Sequence, residues 1–422
     1  MKLLVFAHVP PPHHGQSYMV KLMLDGFGGD RRKSDAGTTP TPHDIQCYHV
    51  NVRLSKRLED IGDMRVGKFA LLLFYCLQAI WFRFRYGVTN FYYVPTPGKA
   101  SALYRDWLVM MLCRPFFKRV ILHWHAAGLG KWLETCTQIR TRSFTYQRMK
   151  DMDLSIVLTR YNRGDAEKLF AKKIAVVNNG IPDPCPDFEQ TLLPRRKARL
   201  NARRRLLAGE SLNEETAHAA GSDPHLFRVL FLGHCTRQKG LFDTLDGIAI
   251  ANQRLSEASL PLRIHLTVAG QLTKAKEQNE FNEQLQRPHL KSLVSYVGFV
   301  TGQDKVRVFE ESDCFCFPTY YYAESFGLVV IESMAFGMPV LTTSWRSLPE
   351  ILPPGYRALV DVRSPEQVAN GLLELITEDG VVLRDYFLKK FTLDNYLRGL
   401  SGAIHSIEHD DAPPVPVPLP AT

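Results

Sequence analysis

Short, continuous apolar runs alternate with amphipathic stretches along the first half of this chain. Runs at 2–7, 45–50, 90–94, 119–123, 154–158 and 174–178 predict buried strands. Residues 16–24, 68–82 and 163–170 between them carry helical periodicity. Buried strands alternating with helices predict a doubly wound parallel sheet. Residues 186–224 lose this rhythm and become rich in Arg, Ala and Glu, as expected of an interdomain segment carrying an insertion. The pattern resumes with strands at 228–232, 264–269, 294–297, 314–318, 339–342 and 358–360, and a helix from Phe326 to Phe336. A second parallel sheet is therefore expected. One helix is predicted from Val381 to about Ile407, and the Pro-rich tail from His409 is expected to be disordered. The reading divides the chain into an N-terminal domain 1–185, a basic linker 186–224, a C-terminal domain 225–385, a closing helix 386–408 crossing back to the first domain, and the tail 409–422.

Composition changes this picture only locally. With 422 residues, 45% hydrophobic and 23% charged, the chain is long enough for two or three globular units. Eight scattered cysteines lack zinc-ribbon spacing, and Cys314 and Cys316 alternate onto one strand face. They read as reduced, buried thiols of a cytosolic protein. The apolar start, Met1 to Ala7, stops at His8 and Pro10 and reads as a first strand rather than a leader. The net charge is +9, yet Arg195 to Arg205 alone holds seven Lys/Arg and no acid. This argues against a nucleic-acid-binding surface throughout. The cluster is either a solvated basic helix face or a site for anionic lipid or an acidic partner. Phe69–Phe82, at about 21 Å as a helix, falls short of a bilayer core of about 30 Å. It reads as a buried helix; the alternative is a membrane-docking face anchored by Trp81, Arg83 and Arg85.

The most informative stretch runs from Phe317-Pro318-Thr319 through Ala323-Glu324-Ser325-Phe326-Gly327-Leu328 to Glu332 and Gly337-Met338-Pro339-Val340. A strand ends at Pro318, a loop follows, and a helix is expected to begin near Ser325. Glu324 then lies at the helix N-terminus, where backbone N–H groups favour anions. Glu332 follows two turns later on the same face. Gly327 leaves room for a phosphate near the backbone. On the residues alone, both glutamates also suit the surface of an amphipathic helix.

The full string resembles the signature of retaining GT-B glycosyltransferases of the group-one, or family-four, class, including bacterial polysaccharide-biosynthesis members. Leu348-Pro349-Glu350-Ile351 continues the likeness. The resemblance implies two Rossmann-like, doubly wound parallel-sheet domains facing across a cleft. It implies a nucleotide diphospho-sugar as co-substrate, with no other cofactor and no metal site. It assigns Glu324 to the transferring sugar, Glu332 to the ribose, and the backbone around Ser325, Phe326, Gly327 and Leu328 to the diphosphate.

Three further segments join the resemblance. Gly233-His234-Cys235-Thr236-Arg237-Gln238-Lys239-Gly240 resembles the family's Gly-Arg…Lys-Gly element. Lys239 matches its lysine, which would stabilise a leaving diphosphate. His234 stands where an arginine is usual, so Arg237 is a further donor-binding candidate. Pro10-Pro11-Pro12-His13-His14-Gly15-Gln16 is similar to the family's glycine-containing donor loop, with Gly15 and Gln16 as its contacts. His123-Trp124-His125, leading to Gly128, ends a predicted strand, where ligands of open sheets gather. It resembles the family's sugar-proximal histidine, with His125 the first choice and His123 the second. The implied activity is transfer of a sugar with retention to a hydroxyl acceptor, held by a lipid-linked or growing surface saccharide. The enzyme would be cytoplasmic, or peripheral at the inner face of the plasma membrane. The alternatives are a catalytically weak nucleotide-sugar-binding scaffold, motivated by His234, or a phosphorylase-like activity. A dehydrogenase is disfavoured because no Gly-x-Gly-x-x-Gly follows the first strand.

Overall fold

A computed structural model describes residues 1–11, 14–33, 42–54, 66–221 and 223–408. Pro12, His13 and the tail 409–422 lie outside the described residues. The chain divides into two compact units, one of residues 1–158, 162–178 and 394 onward, the other of residues 159–161 and 179–393.

Unit 1 is built on a six-stranded parallel sheet: β1 (Lys2–Ala7), β2 (Gln46–Asn51), β3 (Asn90–Tyr93), β4 (Arg119–His123), β5 (Leu154–Val157) and β6 (Ile174–Val176), in the order β2-β1-β3-β4-β5-β6. Lys2 registers with Gln46 across β1/β2 and Leu3 with Asn90 across β1/β3. Five of the six β1 residues are buried, because helices cover both faces. The strand order reverses beside β1, so the crevice between the loops after β1 and β3 is this sheet's switch point. The helix Gly15–Gly26 starts there on a reciprocal cap, in which His14 Nδ1 accepts from the Ser17 N–H and Ser17 Oγ accepts from the His14 N–H. The helix Leu393–His405 contributes its length from Asp394 to this unit, with Leu397 packed on Gly26 and His405 bonded to the His43 carbonyl.

The helix over the predicted 69–82 stretch differs from expectation. It runs Val66–Tyr86, 21 residues, or about 31 Å. Among the described residues it is the one helix long and apolar enough to cross a membrane. Leu72, Cys76, Ala79 and Phe82 are fully buried against the unit, whereas Phe74, Leu77, Trp81 and Phe84 are exposed. The reading as a buried helix therefore holds for one stripe only.

Unit 2 repeats the plan with β7 (Leu226–Leu232), β8 (Arg263–Ala269), β9 (Val294–Gly298), β10 (Cys314–Phe317), β11 (Val340–Thr343) and β12 (Leu359–Val360), all parallel in the order β12-β11-β10-β7-β8-β9. Its switch point falls between β7 and β10, the strands that carry the two strongest sequence motifs. Cys314 and Cys316 are buried in β10 as expected; Cys136, in unit 1, is exposed.

The basic segment forms the helix Leu193–Leu207, and three of its arginines turn inward. Arg199 Nε lies 2.6 Å from Asp313 Oδ1, and Arg203 Nη1 lies 3.2 Å from Asp313 Oδ2. Burial alone would raise the Asp313 carboxyl, but Arg203 and Arg199 hold it below its ordinary value. Arg196 donates to the Phe309 carbonyl at 2.8 Å and to that of Phe336; burial pushes it down to about 9. The reading as a solvated basic face is thus corrected at these three positions, whose charge secures unit 2 from within. The predicted closing helix is also interrupted. It forms Val381–Lys390 and Leu393–His405, because Phe391–Leu393 bonds in an extended bridge to Ile181.

Candidate active site

In unit 2 the loops leaving β7 and β10 are pressed together. Gly240 has φ +83°, and a Cβ there would lie 2.3 Å from the Pro318 carbonyl oxygen, so only glycine fits. The Tyr320 N–H donates to the Gln238 carbonyl at 2.8 Å. This junction brings Lys239 Nζ to 2.7 Å from Glu324 Oε2, with both side chains largely buried. Lys239 also lies 4.6 Å from the centre of the Tyr321 ring. The two residues expected at the reacting sugar and the leaving group are therefore one ion pair.

The helix after this loop runs Leu328–Ala335, starting three residues later than expected. Gly327 caps it at φ +79°, with Leu348 where a Cβ would project. Phe326 is buried and packs on Phe391, so only its backbone is available to a ligand. Ser325 is buried, and Leu328 opens the helix, whose first N–H groups lack intrahelical partners. Glu332 Oε1 accepts from Lys305 Nζ at 2.5 Å, while its Oε2 is buried with no hydrogen-bond partner. Lys305, from the helix Gly302–Glu310, was not singled out in the sequence, since nothing local links it to a glutamate 27 residues away. Arg384 was missed likewise. It binds Asp183 through two 2.6 Å contacts and the Ala335 carbonyl at 2.7 Å, fixing the far end of the Glu332 helix.

The remaining unit 2 candidates divide. His234 adjoins Lys239 and Glu324; desolvation first, then the Lys239 charge, lowers its pKa, outweighing Glu324. This favours its neutral form. Arg237 pairs with Glu280 and lies over the Phe242 ring at 4.4 Å, so its charge is engaged away from the Lys239–Glu324 pair.

Unit 1 holds a different kind of constellation. His123, at the end of β4, is fully buried with Nδ1 2.5 Å from the Tyr92 hydroxyl. Burial, then His125, pushes its pKa well below the usual imidazole range. The His125 ring lies 4.2 Å from that of His123, and burial lowers its pKa to about 3. Gly128, at φ +97°, begins the helix Leu129–Cys136. Its N–H donates to Asp165 at 2.6 Å and that of Gly130 at 2.8 Å, so Asp165, absent from the sequence reading, pins the loop after the histidines. Gly15 and Gln16 open the helix after β1, next to His14, whose Nε2 is 2.6 Å from that of His8. Burial, then Arg105, lowers the pKa of His8 to about 4.

Two parallel-sheet units, each with its candidate residues at strand C-terminal ends, constitute the double-Rossmann GT-B architecture. The family described as Glycosyl transferases group 1 matches residues 213–390. Mannosylfructose-phosphate synthase of Agrobacterium fabrum is 31% identical over 118 residues, 27% of this chain and 25% of the relative. O-antigen chain mannosyltransferase B of Escherichia coli is 30% identical over 87 residues, 20% of this chain. The match spans about a quarter of these curated relatives' length, 25% and 22%. The fold is shared with HepE of Anabaena, solved in complex with UDP and glucose, at a TM-score of 0.61 and 14% identity, over 96% of this chain and all of that one.

Proposed function

We propose that this chain is a glycosyltransferase that moves a sugar, with retention of configuration, from a nucleotide diphospho-sugar to a hydroxyl acceptor. The carrying observation is the pair of Lys–Glu contacts at the switch point of unit 2, of which Glu332 keeps a buried carboxylate oxygen without a partner. A buried acceptor of this kind costs stability unless something donates to it, and a ribose hydroxyl fits. Lys239 has further N–H donors after meeting Glu324, and these suit a diphosphate. As charge develops on the leaving phosphate, Lys239 and the helix start at Gly327-Leu328 stabilise it. Glu324 accepts from the sugar hydroxyls. The acceptor attacks from the leaving-group face, and a phosphate oxygen takes its proton. On this reading neither a metal nor a further cofactor is required, so chelator leaves turnover intact.

We assign His125, neutral by virtue of burial, to hydrogen bonding with the sugar rather than to proton transfer. The name of HepE with its UDP supports a UDP-linked donor, and that of the O-antigen mannosyltransferase supports a surface-saccharide acceptor. One observation favours a second reading, a weakly active nucleotide-sugar-binding protein: the neutral His234 leaves Lys239 as the cation at the phosphates. Hydrolysis assays on UDP- and GDP-sugars decide between the two. Slow release of free sugar that is lost in Lys239→Ala supports the enzyme. Tight binding without release, converted to turnover by His234→Arg, supports the alternative.

A further inference from the structure

Among the described residues, the helix Val66–Tyr86 has two apolar faces and one partner. Its inner stripe, Leu72, Cys76, Ala79 and Phe82, is fully buried in the core of unit 1. At 100° per residue, Phe74, Leu77, Trp81 and Phe84 form the opposite stripe, and all are at least 55% exposed. A surface helix ordinarily turns charged residues outward. This one carries no Asp or Glu at all. The apolar surface continues onto Phe116, 41% exposed, whose ring centre is 6.1 Å from that of Phe84. Tyr104 and Met111, on the helix Ala100–Cys113, are exposed as well.

Charge decides what fits this face. Residues 66–119 contain eight Lys/Arg and one acid, Asp106, which is fully buried and accepts from Tyr93 and Thr96. Arg83 and Arg85 stand beside the exposed stripe in the last helical turn. Apolar side chains with Trp among them, bordered by cations and with no exposed acid within residues 66–119, match the headgroup region of an anionic bilayer. A second copy of the chain would bring like charges together.

We propose that the Phe74–Leu77–Trp81–Phe84 face of this helix rests on an anionic membrane surface, with the helix lying in the interfacial plane. Its length alone would allow it to span, but withdrawal from unit 1 would strip the core of Leu72, Cys76, Ala79 and Phe82. The proposal deepens the functional reading above and rests on it for the acceptor. A cavity of about 280 Å³, where Asp30, Arg32, His49, Asn51 and Gln78 meet Val9 and Tyr75, also borders Phe74. Docking brings this cavity to headgroup level, where the saccharide of a lipid-linked acceptor is presented.

The test is co-sedimentation of the full chain with phosphatidylcholine vesicles containing or lacking phosphatidylglycerol, together with quenching of tryptophan fluorescence by brominated lipid. Wild type is expected to pellet with anionic vesicles, at least tenfold more than with neutral ones, and to be quenched. The Leu77→Ser/Trp81→Ser/Phe84→Ser variant is expected to lose at least tenfold in pelleting while keeping its melting cooperativity and its donor hydrolysis. Trp81→Phe is expected to pellet yet lose most of the quench. If the triple variant misfolds, Arg83→Glu/Arg85→Glu serves, with the same expected direction. Failure of wild type to pellet, unchanged pelleting of the folded variants, or a wild-type dimer that the triple variant dissociates without any vesicle binding would each overturn the proposal. Donor hydrolysis without vesicle binding counts against docking alone; vesicle binding without any donor response counts against the functional reading alone.

Discussion

The two units share a sheet plan but use opposite electrostatics at their strand ends. Unit 2 gathers full charges: Lys239 with Glu324, Lys305 with Glu332 and, away from the switch point, three arginines around Asp313. Unit 1 gathers imidazoles that burial holds neutral, His8, His123 and His125. Charge suits a polyanionic diphosphate, and neutral hydrogen-bonding groups suit a sugar. The contrast teaches that one architecture can carry different electrostatics at its strand ends without changing topology.

The comparison can be broken most forcefully inside unit 2. Asp313→Ala leaves Arg199 and Arg203 buried without their carboxylate, and a loss of about 3–5 kcal/mol is expected. Chemical denaturation would show it as an early transition; an unchanged midpoint would mean that these arginines find other partners. Next in size, Glu324→Ala should slow transfer by about a hundredfold or more, as removal of one preorganised group at a reacting centre does. Donor affinity should fall much less, which titration beside kinetics would reveal. If affinity and rate drop equally, Glu324 belongs to binding alone.

A smaller effect sharpens the unit 1 side. His8 and His125 have folded pKa values of about 4 and about 3, below the unfolded value of about 6.5. Between those values the unfolded chain binds more protons, so stability falls as pH drops from 6.5 toward 4. Melting temperature measured from pH 8 to pH 5 should be flat above 7 and decline below 6.5. His125→Gln should make that decline shallower, and an identical slope would refute its neutral state.

Much of this was legible in the sequence, for identifiable reasons. Strands such as β1 and β10 are covered on both faces, so they write themselves as unbroken apolar runs. The switch-point loops carry glycines at Gly240 and Gly327 where a side chain would collide, which kept the motif recognisable. What escaped depends on contacts far apart in sequence. Lys305 meets Glu332 from another helix, and Asp165 holds the loop after His125 from 37 residues away. Arg196, Arg199 and Arg203 looked like surface charge because composition does not reveal a buried carboxylate at 313. The break at Thr392 is set by Ile181, which a helical period cannot anticipate. The Val66–Tyr86 helix exceeded its expected length because its apolar character was judged from Phe69–Phe82 alone.

The central claim is that unit 2 holds a nucleotide diphosphate, with the unpartnered Glu332 oxygen on the ribose. Isothermal titration of UDP and GDP into wild type, Glu332→Ala and Lys239→Ala tests it most directly. The account predicts binding of one nucleotide by wild type, weakened about tenfold or more when Glu332 is lost, in line with one to two charge-assisted hydrogen bonds. Equal affinity for wild type and Glu332→Ala, or no heat from either nucleotide, would contradict it.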